Sequence, residues 1–351
     1  MRAGTHGKSA APSFRGRAMD IEFHHDLTYL VAARAGYAPR DAATIAHAAQ
    51  LVDDNNVRWE IGKGGPDALR NYISQTMNIA RPRRELFRVY CLFHFVPGDP
   101  AAPAAQRRDG AMHRMVATPG AAPARRALAA ARASGNLHRV GVAAHAFADT
   151  WAHQNFVGVE DRFNAMPGLE AAVSPNVGHA DAGFRPDWPA LAWEDDRLQE
   201  SGVDNRARFL DAAAELLVAF GGREADAPSL RADFDAAIGP PDPRNRNVAA
   251  RRARYAALAG TTPYGAAPLP RYDRLAWLED AAAGRVRMRR RLLRPLPLLQ
   301  RLVCRGLAWA DPAAARATDW WLFQQGVREH QAFLTHDLFG GPLAGVVVER
   351  F

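Results

Sequence analysis

Apolar positions along most of the chain recur at the three-to-four-residue spacing of an α-helix. Leu27, Leu30, Val31 and Ala35 stand at i, i+3, i+4 and i+8, and Gly36 follows as a stop. A second helix opens at Pro39, with Asp41 in its first turn. It carries Ile45, Ala49 and Val52 on one face and ends near Asn55–Asn56. A third helix is predicted over about Asp67 to Asn78. Leu86–Phe95 is a short apolar element that suits helix or strand, because β-branched residues are too scarce to decide. A Pro/Gly/Ala loop at 97–123 leads to helices at 124–133 and 137–153. A long connection at 154–200, rich in Pro, Gly, Asp and Trp, precedes helices near 204–220, 227–237, 247–258, 271–293 and 312–334. The pattern predicts an all-α fold: a multi-helix domain with long loops. Residues 1–18 read as a disordered leader, 19–200 as a helical core, and 201–351 as C-terminal helices packed on the same domain.

Composition narrows this little. At 351 residues and 48% hydrophobic, the chain can bury a sizeable core. Its net charge of +8 is carried by arginine, since Lys8 and Lys63 are the lysines. Arginine suits bidentate phosphate recognition, but an Arg-rich genome gives the same bias. The cluster Arg285, Arg287, Arg289, Arg290, Arg291 and Arg294 reads equally as a phosphate or acidic-lipid surface and as a solvated face. Cys91 and Cys304 form no CxxC pair and no disulfide framework, so any metal would be held by histidine and carboxylate. With no apolar segment in the leader and no stretch of roughly 18 apolar residues, the expectation is a cytoplasmic chain with no transmembrane segment.

The chemistry lies in where the twelve histidines fall. His145, Asp149 and His153 follow one another at i, i+4, i+8, which lines them along one helix face with a drift of about 40° per step. Two imidazoles and a carboxylate are common ligands for zinc or a similar divalent ion. The flanking Val140, Ala144, Phe147 and Ala148 are apolar, so the helix is expected to be buried, and a buried aspartate needs a partner. A surface His–Asp–His ladder has the same spacing. His24 points with the Leu27–Val31 stripe, while His25 and Asp26 lie off it. Asp53 continues the Ile45–Ala49–Val52 stripe, and Asp54 is one step farther round. His94 ends an apolar element where it breaks into the turn Val96-Pro97-Gly98-Asp99, and His179 sits in a loop near Asp181 and Asp187. His47, His113 and His138 read as structural or surface residues.

The run Gly141-Val142-Ala143-Ala144-His145-Ala146-Phe147-Ala148-Asp149-Thr150-Trp151-Ala152-His153-Gln154-Asn155-Phe156 resembles the G-x-x-L-H-x-x-x-D-x-x-x-H-x-N-[FY] signature, with Ala144 in place of Leu. That signature belongs to the zinc-dependent phospholipase C and single-strand-specific zinc nuclease superfamily. The spacing is most similar to that of the fungal heterokaryon-incompatibility C proteins. The opening Met19-Asp20-Ile21-Glu22-Phe23-His24 also resembles an uncharacterised bacterial family. The resemblance implies an all-α fold holding two or three zinc ions between helices. It implies His24, Asp53, His94, His145, Asp149, His153 and His179 as metal ligands. The superfamily uses an N-terminal Trp amine as a further ligand. No Trp lies near the start here, so two ions are expected rather than three. The glutamate found four residues after the last His is replaced by Gly183, leaving Asp181 or Asp187 as stand-ins.

The function so implied is phosphoester hydrolysis by paired metals, with Asp54 and Asp149 as the catalytic carboxylates, Asp54 being the one free to act as general base. The expected partners are a phosphate-containing small molecule or single-stranded nucleic acid. Arg107 and Arg108 are loop arginines that could reach a phosphate, and Trp151 and Phe156 are stacking candidates that read equally as core. Two alternatives stand beside it. One is an HD-type phosphohydrolase, prompted by His25-Asp26 and His336-Asp337, although the required order of His, His-Asp and Asp is not met. The other is a catalytically silent, metal-stabilised helical module.

Overall fold

The computed structural model describes residues 21–76, 87–166, 176–283, 286 and 306–346. The described chain opens on a π-helical segment, Glu22–Leu27, that runs into α1 (Thr28–Arg34). The wider π turn re-phases the side chains. Glu22, His24, His25 and Asp26 are consequently all buried, including the pair that α-helical spacing sets off the apolar stripe. Gly36 stops α1 with φ of +97°, a conformation glycine adopts without strain. Helix α2 (Pro39–Asp54) starts with proline in its first turn. Strands β1 (Glu60–Ile61) and β2 (Leu69–Arg70) pair antiparallel. The predicted helix over 67–78 is therefore absent from the described part of that stretch. A short helix, α3 (Phe87–Val89), continues as a second π segment, Tyr90–His94. This settles the ambiguous apolar element as helical.

Helices α4 (Ala122–Ala133) and α5 (Leu137–Ala152) fall where the periodicity places them. Asn136 caps α5 by accepting from the backbone N–H groups of His138 and Arg139. Between residues 180 and 204 lie two 3₁₀ turns and the antiparallel pair β3 (Ala192–Glu194) and β4 (Gly202–Asp204). Helices α6 (Asn205–Ala219), α7 (Ala227–Ile238), α8 (Val248–Ala259) and α9 (Ala276–Ala281) follow. The strands β5 (Ala282–Ala283) and β6 (Ala308–Trp309) pair, and α10 (Asp319–Phe339) ends the described fold. The architecture is all-α in its framework, with three two-stranded sheets among the described residues as connections. The arginines of the 285–294 cluster lie outside the described residues.

Helix α5 is the axis. It packs against α2, α4, α6 and α10, and from His138 to Ala152 nearly every residue is buried. Its approach to α2 depends on Gly141. A Cβ there would collide with the carbonyl oxygen of Ile45 and the Cβ of Ala48. Glycine inside a helix is costly on its own, and here it permits two backbones to touch. The large core surrounds α5. A smaller core gathers Tyr90, Phe95, Phe156, Val177 and Trp193 beneath the long connection. Trp151 and Phe156 are thus core residues, 5% and 0% exposed. Buried ion pairs tie the C-terminal half to the entrance of the fold. Arg251 on α8 donates to both carboxylate oxygens of Glu22 at 2.8 Å and to Asp242 at 2.9 Å. Its neighbour Arg252 donates to Asp26 at 2.6 Å.

Candidate metal centre

Helix α5 presents His145 and Asp149 from successive turns, and His153 follows at its C-cap. The predicted face exists, and it points inward: the three are 0%, 0% and 1% exposed. His24 arrives from the first π segment and His94 from the second. π turns are rare and concentrate at functional sites, and each of these two carries one candidate ligand. Asp53 comes from the last turn of α2. His179 is set by Gly178, whose φ of +54° and tight approach to the Phe95 ring leave no room for a side chain.

All seven residues converge. His145 Nε2 lies 3.1 Å from Asp149 Oδ2, 3.1 Å from His94 Nδ1 and 3.8 Å from Asp53 Oδ1. His94 Nδ1 is 3.2 Å from the same Asp149 oxygen and 3.8 Å from Asp53 Oδ1. His24 Nε2 is 3.2 Å from the other Asp149 oxygen, Oδ1, and its ring stacks on His145 at 3.9 Å. Asp149 therefore stands between His24 on one oxygen and His94 and His145 on the other. On its far side, His153 Nε2 faces Asp187 Oδ1 at 3.4 Å, and His179 Nε2 faces the same oxygen at 3.9 Å. Among the described residues, three groups gather ligand atoms within 4.8 Å of one another: His24, His145 and Asp149; Asp53, His94 and His145; and His153, His179 and Asp187. Of the two possible stand-ins for the missing glutamate, Asp187 is in the centre. Asp181 instead accepts from the backbone N–H of Met166.

The ring nitrogens that turn away from the centre are satisfied by backbone. His94 Nε2 donates to the Ser74 carbonyl at 2.9 Å, His153 Nδ1 to the His94 carbonyl at 2.8 Å, and His179 Nδ1 to the Gly183 carbonyl at 2.9 Å. Each such bond leaves the other ring nitrogen facing the cluster, the arrangement that metal-ligating histidines use. Other atoms of these side chains are orphans, His145 Nδ1 among them. Both nitrogens of His24, Oδ1 of Asp149, Oδ2 of Asp53, Nε2 of His153 and both oxygens of Asp187 are buried without a hydrogen-bond partner. Buried polar atoms are rarely left so. Their clustering is what a divalent cation would resolve, and the donor set of imidazole and carboxylate matches zinc or a similar ion.

Electrostatics point the same way. Burial, the negative charge of Asp149 and the further acids Asp54 and Asp187 hold the Asp53 carboxyl well above the usual carboxylate range. Burial would also raise Asp149, but His153, His145 and His24 around it outweigh that and hold it well below. Burial and the neighbouring His24 lower His145. His153, although buried, is pushed up to about 9 by Asp149 and Asp187. The carboxylates of the centre are thus balanced only by imidazoles.

Other candidates lie elsewhere. Asp54 is not brought into the cluster. Its carboxylate accepts from the Tyr272 hydroxyl at 2.9 Å and faces Arg274 at 3.6 Å. The rotation of one residue along α2 accounts for this, because it turns Asp54 toward the loop before α9. Arg107 is buried against Phe163, donating to its carbonyl, and Arg108 donates to Leu198, so both latch the long connection instead of reaching the centre. The pair His25-Asp26 is spent internally and on Arg252, and Asp337 pairs with Arg126. His47 stacks on Trp277 and His138 pairs with Asp319, which keeps both structural. Periodicity gave no sign of the polar groups behind the ligands, Ser74 and Gln75. The only hint is that two small polar residues precede the stretch leading to His94.

No curated protein and no solved structure matches the chain. The model of DUF6765, a family of unknown function, matches residues 19–338, which span every residue of the centre, and the chain belongs to that family.

Proposed function

We propose that the chain is a metal-dependent phosphoester hydrolase of the phospholipase C and nuclease type, using two zinc ions. The observation that carries this reading is the convergence of His24, Asp53, His94, His145, Asp149, His153, His179 and Asp187 on one buried centre with orphaned polar atoms. The likeness of the α5 run to the superfamily signature supplies the reaction class. Zinc held there would supply Lewis-acid polarisation of a phosphoryl oxygen and a nucleophile from water near neutral pH. Asp53, His94 and His145 would hold one ion and His153, His179 and Asp187 the other, with Asp149 between them. Asp149 Oδ2 faces His94 and His145 of the first set, and its Oδ1 faces His24. Asp54, hydrogen-bonded to Tyr272, has no part in this scheme.

One observation favours the second reading, a metal-stabilised module without catalysis. Seven of the eight side chains are at most 8% exposed, and a closed, fully protein-ligated site is structural in character. His179, 18% exposed, is the most open ligand. The test is turnover of chromogenic phosphomonoesters and phosphodiesters, single-stranded DNA and RNA, and phosphatidylcholine vesicles, each with zinc and with chelator. Chelator-sensitive cleavage of a soluble phosphoester supports the hydrolase. Zinc retention with no turnover of any substrate supports the module.

A further inference from the structure

Residues 71–76 form a strap between two candidate ligands. From this strap the Ser74 carbonyl accepts from His94 Nε2 at 2.9 Å, and the Gln75 side-chain amide lies 3.4 Å from Asp53 Oδ1. One short segment thus touches an imidazole from the second π segment and a carboxylate from α2. Its backbone is tied at two points, Asn71 N–H to the Trp59 carbonyl and Ser74 N–H to the Asn55 carbonyl, both at 3.2 Å, and the rest falls to side chains. Asn55, at the C-cap of α2, donates to the Tyr72 carbonyl at 2.7 Å and to Ser74 Oγ at 3.1 Å. Ser74 Oγ in turn donates to the Val52 carbonyl at 2.8 Å. On the other side stands Gln324 of α10, 0% exposed. Its Oε1 accepts from the Tyr72 N–H at 2.9 Å, and its Nε2 reaches Asn55 Oδ1 at 3.4 Å.

Gln324 lies more than 130 residues beyond Asp187, the last candidate ligand in the sequence. Its two hydrogen bonds span the strap and the helix cap. We propose that Gln324 is a positioning residue for the centre: through Asn55 and Tyr72 it fixes the strap whose Ser74 carbonyl sets the His94 tautomer and whose Gln75 orients Asp53. The inference rests on the metal reading for its purpose, and the strap geometry stands without it. Partners of ligating histidines typically change metal affinity by roughly 10- to 100-fold when removed. A buried Gln with both ends bonded is well suited to that work, because any polar loss there has no water to replace it.

The test uses the full chain carrying Gln324→Met, with Gln324→Asn as the milder variant should the first fail to fold, and Leu334→Ala on the same helix as a control for lost core packing. Two properties are read on folded protein. The first is the His94 tautomer in the zinc-free chain, from imidazole ¹⁵N shifts. The second is zinc affinity, from competition with a chromogenic chelator. Wild type should show the Nε2–H form of His94. The Gln324 variants should mix tautomers and bind zinc about 10-fold or more weakly, while Leu334→Ala changes neither. An unchanged tautomer and affinity in the Gln324 variants would overturn the proposal, as would an equal loss of affinity in Leu334→Ala. Failure of wild type to bind zinc would sink the metal reading alone, because the tautomer still decides whether Gln324 positions His94.

Discussion

At the scale of single residues, the centre is defined by imidazoles that are satisfied on one side only. His94, His153 and His179 each donate one N–H to a backbone carbonyl and turn the other nitrogen inward. His330 is the contrast. It is buried, donates Nε2–H to the Leu92 carbonyl, and sits among core side chains. Burial lowers it to about 4, so it is neutral in the folded protein. A lowered histidine gives stability that is complete above its ordinary value near 6.5 and lost as pH falls toward the folded value. The chain should therefore lose on the order of 3 kcal/mol through this residue between about pH 6.5 and pH 4. Urea titrations of wild type and His330→Gln at both pH values check this, and equal pH dependence in the two would refute it. On the proposed metal reading, the contribution of His145 depends on the ion. With zinc at about a thousand times Kd, wild type gains about 4 kcal/mol. His145→Ala should lower the Tm of the zinc-loaded protein strongly and that of the chelated protein little. Equal loss in both states would make His145 an ordinary core residue.

At the scale of elements, much depends on turns that depart from ideal helix. The π segment Glu22–Leu27 is held by two adjacent arginines of α8. Removing one partner of a fully buried ion pair strands the other charge. Arg251→Met should therefore destabilise the fold by about 3–5 kcal/mol in urea unfolding, and a loss under 1 kcal/mol would show the pair to be dispensable. The sequence made α5 legible because His145, Asp149 and His153 share a period with buried apolar residues. His24 was legible for the same reason. Glu22, His25 and Asp26 were not, because a π turn breaks the 3.6-residue period on which such reading relies. The stretch from Asp67 was misread for a related reason. Leu69, Tyr72 and Ile73 mimic a helical stripe, but the buried amides of Asn55 and Gln324 take the backbone carbonyl and N–H of Tyr72 that a helix would have used. Asp187 was visible only as one of two acids, since its place depends on a 3₁₀ turn, Arg185–Asp187, that local composition does not specify.

At the scale of the whole molecule, the chain up to Asp187 carries the candidate ligands and the helices after it brace them. Helices α6 and α10 pack on α5, α8 clamps the first π segment, and Gln324 reaches the strap behind His94. Among the described residues no helix is long and apolar enough to cross a membrane. Everything in this arrangement turns on whether the orphaned atoms of the centre hold an ion. The most direct measurement is the metal content of the purified chain after zinc-supplemented expression, read by elemental mass spectrometry. The purified chain should carry about two divalent ions, mainly zinc, falling by about half in His179→Ala, which removes a ligand from one set and leaves the other intact. Less than about 0.5 equivalents in wild type would contradict it.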